Sequence, residues 1–183
     1  MMKKRILIIT SLFVISIFIY ANIQMNQDNP KVLEPLLVEV ENAIQYRDQK
    51  DPEVSKVDVA WQLDHILKTI NRITEALEAS NPSDYSNSIN AARIFSLTAG
   101  YIPRGRAQSP DVVRPPEVIL TEDIYVQLQE ARANINTLNI LDENTNFEHP
   151  YFGQLSKAQA IRFMEVHTKH HLKIVDDILE DNN

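Results

Sequence analysis

Ser156–Glu180 reads S-K-A-Q-A-I-R-F-M-E-V-H-T-K-H-H-L-K-I-V-D-D-I-L-E, and this stretch fixes how the rest of the chain is arranged. Ser156 and Gln159 stand at the spacing of a capping box, so a helix opens here and runs to about Glu180. At roughly 100° per residue, Phe163, Met164, Ile174, Val175 and Ile178 share one face, and His167 and His171 fall near its centre. His170 lies on the flank. An apolar stripe of this length is buried against other helices, where two imidazoles pack less well than leucines would. A bound metal ion is the first reason to test, because side chains four apart share a helix face and chelate together. Core histidines hydrogen-bonded to carbonyls or carboxylates are the alternative.

Upstream, the same periodicity recurs. Ile124, Leu128, Ala131, Ile135 and Leu138 predict an amphipathic helix with Thr121 as its N-cap. Val59, Leu63, Ile66, Ile70, Ile73 and Leu77 form a second stripe, opened by a capping box at Ser55 and Asp58 and closed by S-N-P. A shorter helix is expected over roughly 34–47, on Leu36, Leu37, Val40 and Ile44, and another from about Tyr85 to Gly100, a left-handed C-cap. Tyr101–Leu120 is too rich in proline for a helix and lacks alternation, so it reads as a long connection across the molecule. Long strand patterns are absent. The expectation is an all-α, four-helix bundle with one long crossover connection, an architecture in which facing helices commonly build metal sites.

A third ligand is sought on the other helices. His65, in A-W-Q-L-D-H-I-L, is the candidate, although it lies roughly 130° from the middle of its own apolar stripe, beside Asp58 and Trp61. A solvated surface histidine would occupy that position equally well. It serves as a ligand if this helix touches neighbours on two sides, which Trp61 on the same flank favours. His149 precedes the last helix in N-F-E-H-P-Y-F-G-Q-L-S and reads first as a side chain that tethers the loop. A contact to a substrate or to a ligand is the second reading for His149 and for His170. Arg104 and Arg106 in the proline-rich connection could receive an anionic substrate, though exposed loop arginines are usually only solvated.

Lys3, Lys4 and Arg5 precede a charge-free, largely apolar run from Ile6 to Ala21. At about 16 residues it falls between a signal-peptide core and a membrane span of about 20. Ile19 would sit three residues before a cut after Ala21, where a small side chain is preferred, so a retained single-pass anchor is favoured over a cleaved signal. The expected division is 1–25 as anchor or signal and 26–183 as the helical domain. The basic residues before the run place that domain outside the cytoplasm, with the bilayer as a partner, or make it secreted or periplasmic after cleavage.

Composition narrows the chemistry. The chain of 183 residues carries 18 basic and 25 acidic residues, a net charge of −7. Setting aside Lys3, Lys4 and Arg5 leaves 15 basic residues and −10, a surface that repels phosphate backbones and makes a nucleic-acid partner a poor expectation. The three glycines form no phosphate-cradling loop. With no cysteine, disulfides, thiolate ligands and a Cys nucleophile are excluded.

W-x-x-x-H-I, then I-P-R-G-R-A-x-S-P, then H-P-Y-F-G-Q-L-S and a final H-T-K-H-H-L together resemble the DinB-like (YfiT-like) superfamily, in a branch of uncharacterised domains, over most of the chain after about Asn29. The resemblance implies a four-helix bundle holding a divalent metal, zinc or nickel among the candidates, through three histidines: here His65, His167 and His171. Three protein ligands leave a coordination position for water or substrate, the arrangement of a reactive site. Metal-dependent hydrolysis of a small-molecule substrate is the expectation. A non-catalytic metal-binding or interaction module is the alternative, as is thiol transfer, ranked lower because the domain is expected to face outward. Some bundles of this superfamily pair as homodimers, though no exposed apolar seam requires it.

Overall fold

The structure is a computed structural model that describes residues 2–105 and 108–180, with the side chains of 2–11, 14 and 18 left out. Six α-helices and one β-hairpin follow in the order α1 (Met2–Met25), α2 (Glu34–Ala43), α3 (Val59–Ala79), α4 (Ala91–Ala99), α5 (Thr121–Ile140), β1 (Asn146–His149), β2 (Gly153–Ser156) and α6 (Lys157–Glu180). The predicted stripes are the core. Leu63, Ile66, Ile70 and Leu77 of α3 meet Ile124, Leu128, Ala131 and Leu138 of α5 and Met164, Val175 and Ile178 of α6, all buried in one cluster. Helix α2 closes it with Leu36, Leu37 and Val40. Each buried leucine or isoleucine stabilises the packing by about 1.5–3 kcal/mol relative to exposure.

The caps explain most boundaries. Asp58 ends the loop before α3 by accepting the backbone N–H of Trp61 at 2.9 Å, so the cap is Asp58 and the pairing with Ser55 is not made. Gly100 terminates α4 at φ +64°, as its left-handed C-cap reading requires. Thr121 is the first residue of α5, not its cap, and its hydroxyl instead accepts from Arg47 at 2.7 Å. Ser156 caps α6 by accepting the Gln159 N–H at 3.4 Å.

The all-α expectation is corrected by the hairpin. β1 and β2 pair antiparallel with Asn146 opposite Ser156 and His149 opposite Gly153. Pro150, Tyr151 and Phe152 form the loop, and Gly153 at φ +67° supplies the left-handed residue that a three-residue hairpin loop needs. Strands of four residues are too short to announce themselves by alternation. The hairpin is pinned by Arg93 of α4, a buried guanidinium that donates to the carbonyls of Gln154, Phe152 and Ser88.

The membrane anchor is also corrected. α1 forms over the apolar run, but among the described residues no helix is long and apolar enough to cross a membrane. α1 touches α4 and α6, with Ala21 buried and Met25 packed on the core, while Leu12, Phe13, Ile15, Ile17, Ile19, Tyr20 and Ile23 are at least half exposed. The single-pass topology, the bilayer partner and the membrane localisation depended on that span and fall with it. Part of the run, residues 6–11, 14 and 18, lies outside the described side chains.

Candidate metal centre

His65 comes from α3 and His167 and His171 from α6, and the three rings converge. Their centroids are 5.0 Å apart for His65 and His167, 4.7 Å for His65 and His171, and 4.4 Å for His167 and His171. One nitrogen from each ring lies within 4.8 Å of the other two, close enough to hold a metal ion. Donor atoms around a tetrahedral ion with metal–nitrogen distances of 2.0–2.1 Å are about 3.3 Å apart, a spacing within reach of small ring rotations.

The surroundings of each ring fix which nitrogen is free. His65 Nδ1 lies 2.8 Å from the carbonyl oxygen of Val113, which can only accept, so Nδ1 carries the proton and Nε2 keeps its lone pair. His171 Nδ1 lies 2.6 Å from Gln62 Oε1, and the same reasoning leaves its Nε2 as the donor atom. His167 Nδ1 is buried and has no hydrogen-bond partner among the described residues. A buried imidazole nitrogen without a protein partner is costly unless something else satisfies it, and a metal ion would do so if this nitrogen is the one turned to the triad. The three residues therefore fit a metal on tautomer, spacing and an orphaned nitrogen alike.

Burial tunes the charge. It pushes the pKa of His167 well below the ordinary histidine value, helped by the nearby His65, His170 and His149. It does the same to His171, with His167, His65, His170 and Arg104 adding to the effect. His65 is also lowered by burial, against the opposing pull of the Val113 carbonyl and Asp64. All three rings are thus neutral near pH 7, the form that binds metal.

His65 is only 4% exposed, so the solvated reading of its off-stripe position does not describe it. Two covers account for this, of which the sequence signalled only Trp61. The crossover connection brings a short 3-10 helix, Asp111–Val113, over that flank of α3, and Trp61 stacks on the ring with centroids 5.0 Å apart. Gln62 and Val113, which orient two of the three rings, were equally invisible, because only the tertiary fold brings them to their partners.

The remaining expected residues fall into two groups. His149 ends β1 and its Nδ1 accepts the backbone N–H of Tyr151 at 3.1 Å and of Phe152 at 3.2 Å, so it ties the hairpin loop. Burial lowers its pKa to about 4. It also stacks on Phe152 and meets Phe163 edge-on, both with centroids 4.6 Å away. His170 sits beside His171, its pKa lowered by burial and by Arg104. Arg104 itself is engaged in an ion pair with Asp177 of α6. Arg106 lies outside the described residues.

The triad opens on a cavity of about 970 Å³, walled by α3, α4, α6, the crossover connection and the hairpin, with His149 and His170 on its wall. Pockets of 300–1,000 Å³ are the size that takes small molecules. In comparisons with known proteins, the chain matches no family profile, no curated protein and no solved structure.

Proposed function

We propose that His65, His167 and His171 hold one divalent ion, zinc or nickel, and that the site acts as a metal-dependent hydrolase on a small molecule bound in the adjoining cavity. The observation that carries this reading is the convergence of one nitrogen from each of three neutral imidazoles, all within 4.8 Å of one another. Likeness of the H-P-Y-F-G-Q-L-S and H-T-K-H-H-L segments to the DinB-like superfamily supports it, and membership of that superfamily is part of the proposal. When bound, the ion would supply Lewis-acid polarisation of a substrate oxygen. The chain's own residues do the rest. Val113 and Gln62 hold the rings of His65 and His171 in the tautomer that presents Nε2. His170, on the cavity wall 5.0 Å from the His171 ring, is the neutral group placed to take a proton.

A non-catalytic metal-binding module is the second reading, and one observation favours it. The carboxylates on the cavity wall are Glu75, bonded to Arg72, and the exposed Glu148, so among the described residues no free buried carboxylate stands ready as a base. Thiol transfer is a third reading, ranked below hydrolysis on the expectation of an exported domain. Metal analysis followed by a substrate screen that includes esters, amides and thiol acceptors, run on the wild type and His171→Ala, separates the three. Turnover of an ester or amide that disappears with His171 supports hydrolysis. Stoichiometric metal without turnover supports the binding module.

A further inference from the structure

The cavity wall shows what kind of molecule would reach the ion. Its polar groups with little exposure are few: His65 at 4%, Ser96 at 5% and Thr69 at 5%. Thr69 follows His65 by one helical turn, and its hydroxyl oxygen is buried with no partner among the described residues. The charges stand apart from these. Arg72 and Glu75 are both well exposed and neutralise each other at 2.6 Å, and Glu148 is exposed. Most of the remaining surface is hydrocarbon or aromatic, from Ile73 and Ala76 of α3, Phe163 of α6 and Phe152 of the hairpin, and it extends to Phe95 at 59% exposure and Val112 at 72%. Away from the ion, a highly charged substrate would lose its hydration on this surface and meet only the exposed Glu148 as an unpaired wall charge among the described residues. An apolar body gains from every methylene it buries.

Resting on the metal reading above, we propose that the ligand of this site is a small amphiphile: an uncharged, largely apolar chain or ring system carrying one oxygen-donor head. The head lies at the triad, where the Thr69 hydroxyl hydrogen-bonds it, and the apolar body lies along Ile73, Ala76, Phe152 and Phe163. This differs from a polar metabolite site, in which charged side chains would converge on the ligand from several directions.

The probes are straight-chain alkyl hydroxamates of two, four, six and eight carbons, titrated by calorimetry into the full-length protein loaded with zinc, with metal content measured on the same samples. Affinity is expected to rise roughly threefold per methylene, so the eight-carbon probe binds at least about a hundredfold more tightly than the two-carbon one. Ala76→Glu, a change on the cavity wall away from the ligands, should abolish that rise while leaving the metal in place. Thr69→Val should weaken every member of the series by about two- to tenfold without changing the slope, the signature of a lost hydrogen bond to the head. A flat series with zinc bound, or an unchanged slope in Ala76→Glu, would overturn the proposal. An unchanged affinity in Thr69→Val would remove the hydroxyl from the binding group. If the wild type takes up no zinc, the metal reading itself fails, and this inference with it.

Discussion

Helices α3 and α6 deliver their histidines to one point by different means. In α6 the i, i+4 spacing alone puts His167 and His171 side by side on the buried stripe. In α3 the stripe points into the core beside α5, and His65 leaves from another face of the helix. It is buried only because the crossover connection and Trp61 cover that flank. One half of the centre is thus written in local periodicity, and the other half is made by tertiary structure. The first half needs only a helix, whereas the second needs the whole fold.

The comparison breaks most visibly if a ligand is removed. His171→Ala and His65→Ala should each weaken metal binding by at least about 100-fold in competition with a chromophoric chelator, since two imidazoles chelate poorly. Equal losses from both helices would show that the two routes end at a single ion. A loss confined to the α6 variant would place His65 outside the centre. The metal-linked gain in thermal stability should vanish in parallel.

A smaller effect comes from the partner that orients one ring. Gln62→Leu removes the acceptor of the His171 Nδ1 proton and should cost about 10- to 100-fold in metal affinity while all three ligands remain. His65 is held by a backbone carbonyl, which no side-chain substitution deletes. The contrast sharpens the point that α3 depends on the path of the connection, while α6 depends on a side chain.

These dependencies show what was legible in the sequence. Three long stripes predicted α3, α5 and α6 and a shorter one α2, since burial of one helix face repeats every three or four residues and survives without knowledge of neighbours. Gly100 could be read as a cap for the same local reason. The hairpin could not be read, because four residues per strand give too little alternation, and its stability comes from Arg93 reaching across from α4. For His65, helical arithmetic gave the correct direction of the ring but not what would cover it. Apolarity gave α1 as a helix but not its surroundings, because Ala21 and Met25 pack on protein while Leu12, Phe13, Ile19 and Ile23 stay exposed. Thr69 is legible from spacing alone, one turn beyond His65 on the same face of α3.

Acid should act on the metal-free protein through the hairpin. His149 has a folded pKa of about 4 against an ordinary value near 6.5, so between these limits the unfolded chain binds a proton that the folded chain refuses. Stability should therefore fall as the pH drops from 6.5 to about 4 and level off below. For this partly exposed ring the loss is about 1–3 kcal/mol. Urea denaturation across that range should show a shallower slope for His149→Asn, whose amide oxygen does not titrate. The triad histidines, also lowered by burial, push in the same direction. An identical slope would mean that the loop histidine is not neutral in the folded state.

The smallest effect expected is from Gly153→Ala. At φ +67° an alanine is strained by about 1–2 kcal/mol, which lowers the melting temperature by a few degrees without altering metal content. A loss of metal in this variant would show that the hairpin positions the ligands as well as walling the cavity.

The central claim is that three imidazoles from two helices share one ion, and the metal-to-chain ratio tests it most directly. Purified without chelator, loaded with zinc and dialysed, the wild-type protein is predicted to retain close to one ion per chain and His65→Ala close to none. A wild-type ratio near zero, or a ratio unchanged in His65→Ala, would contradict it.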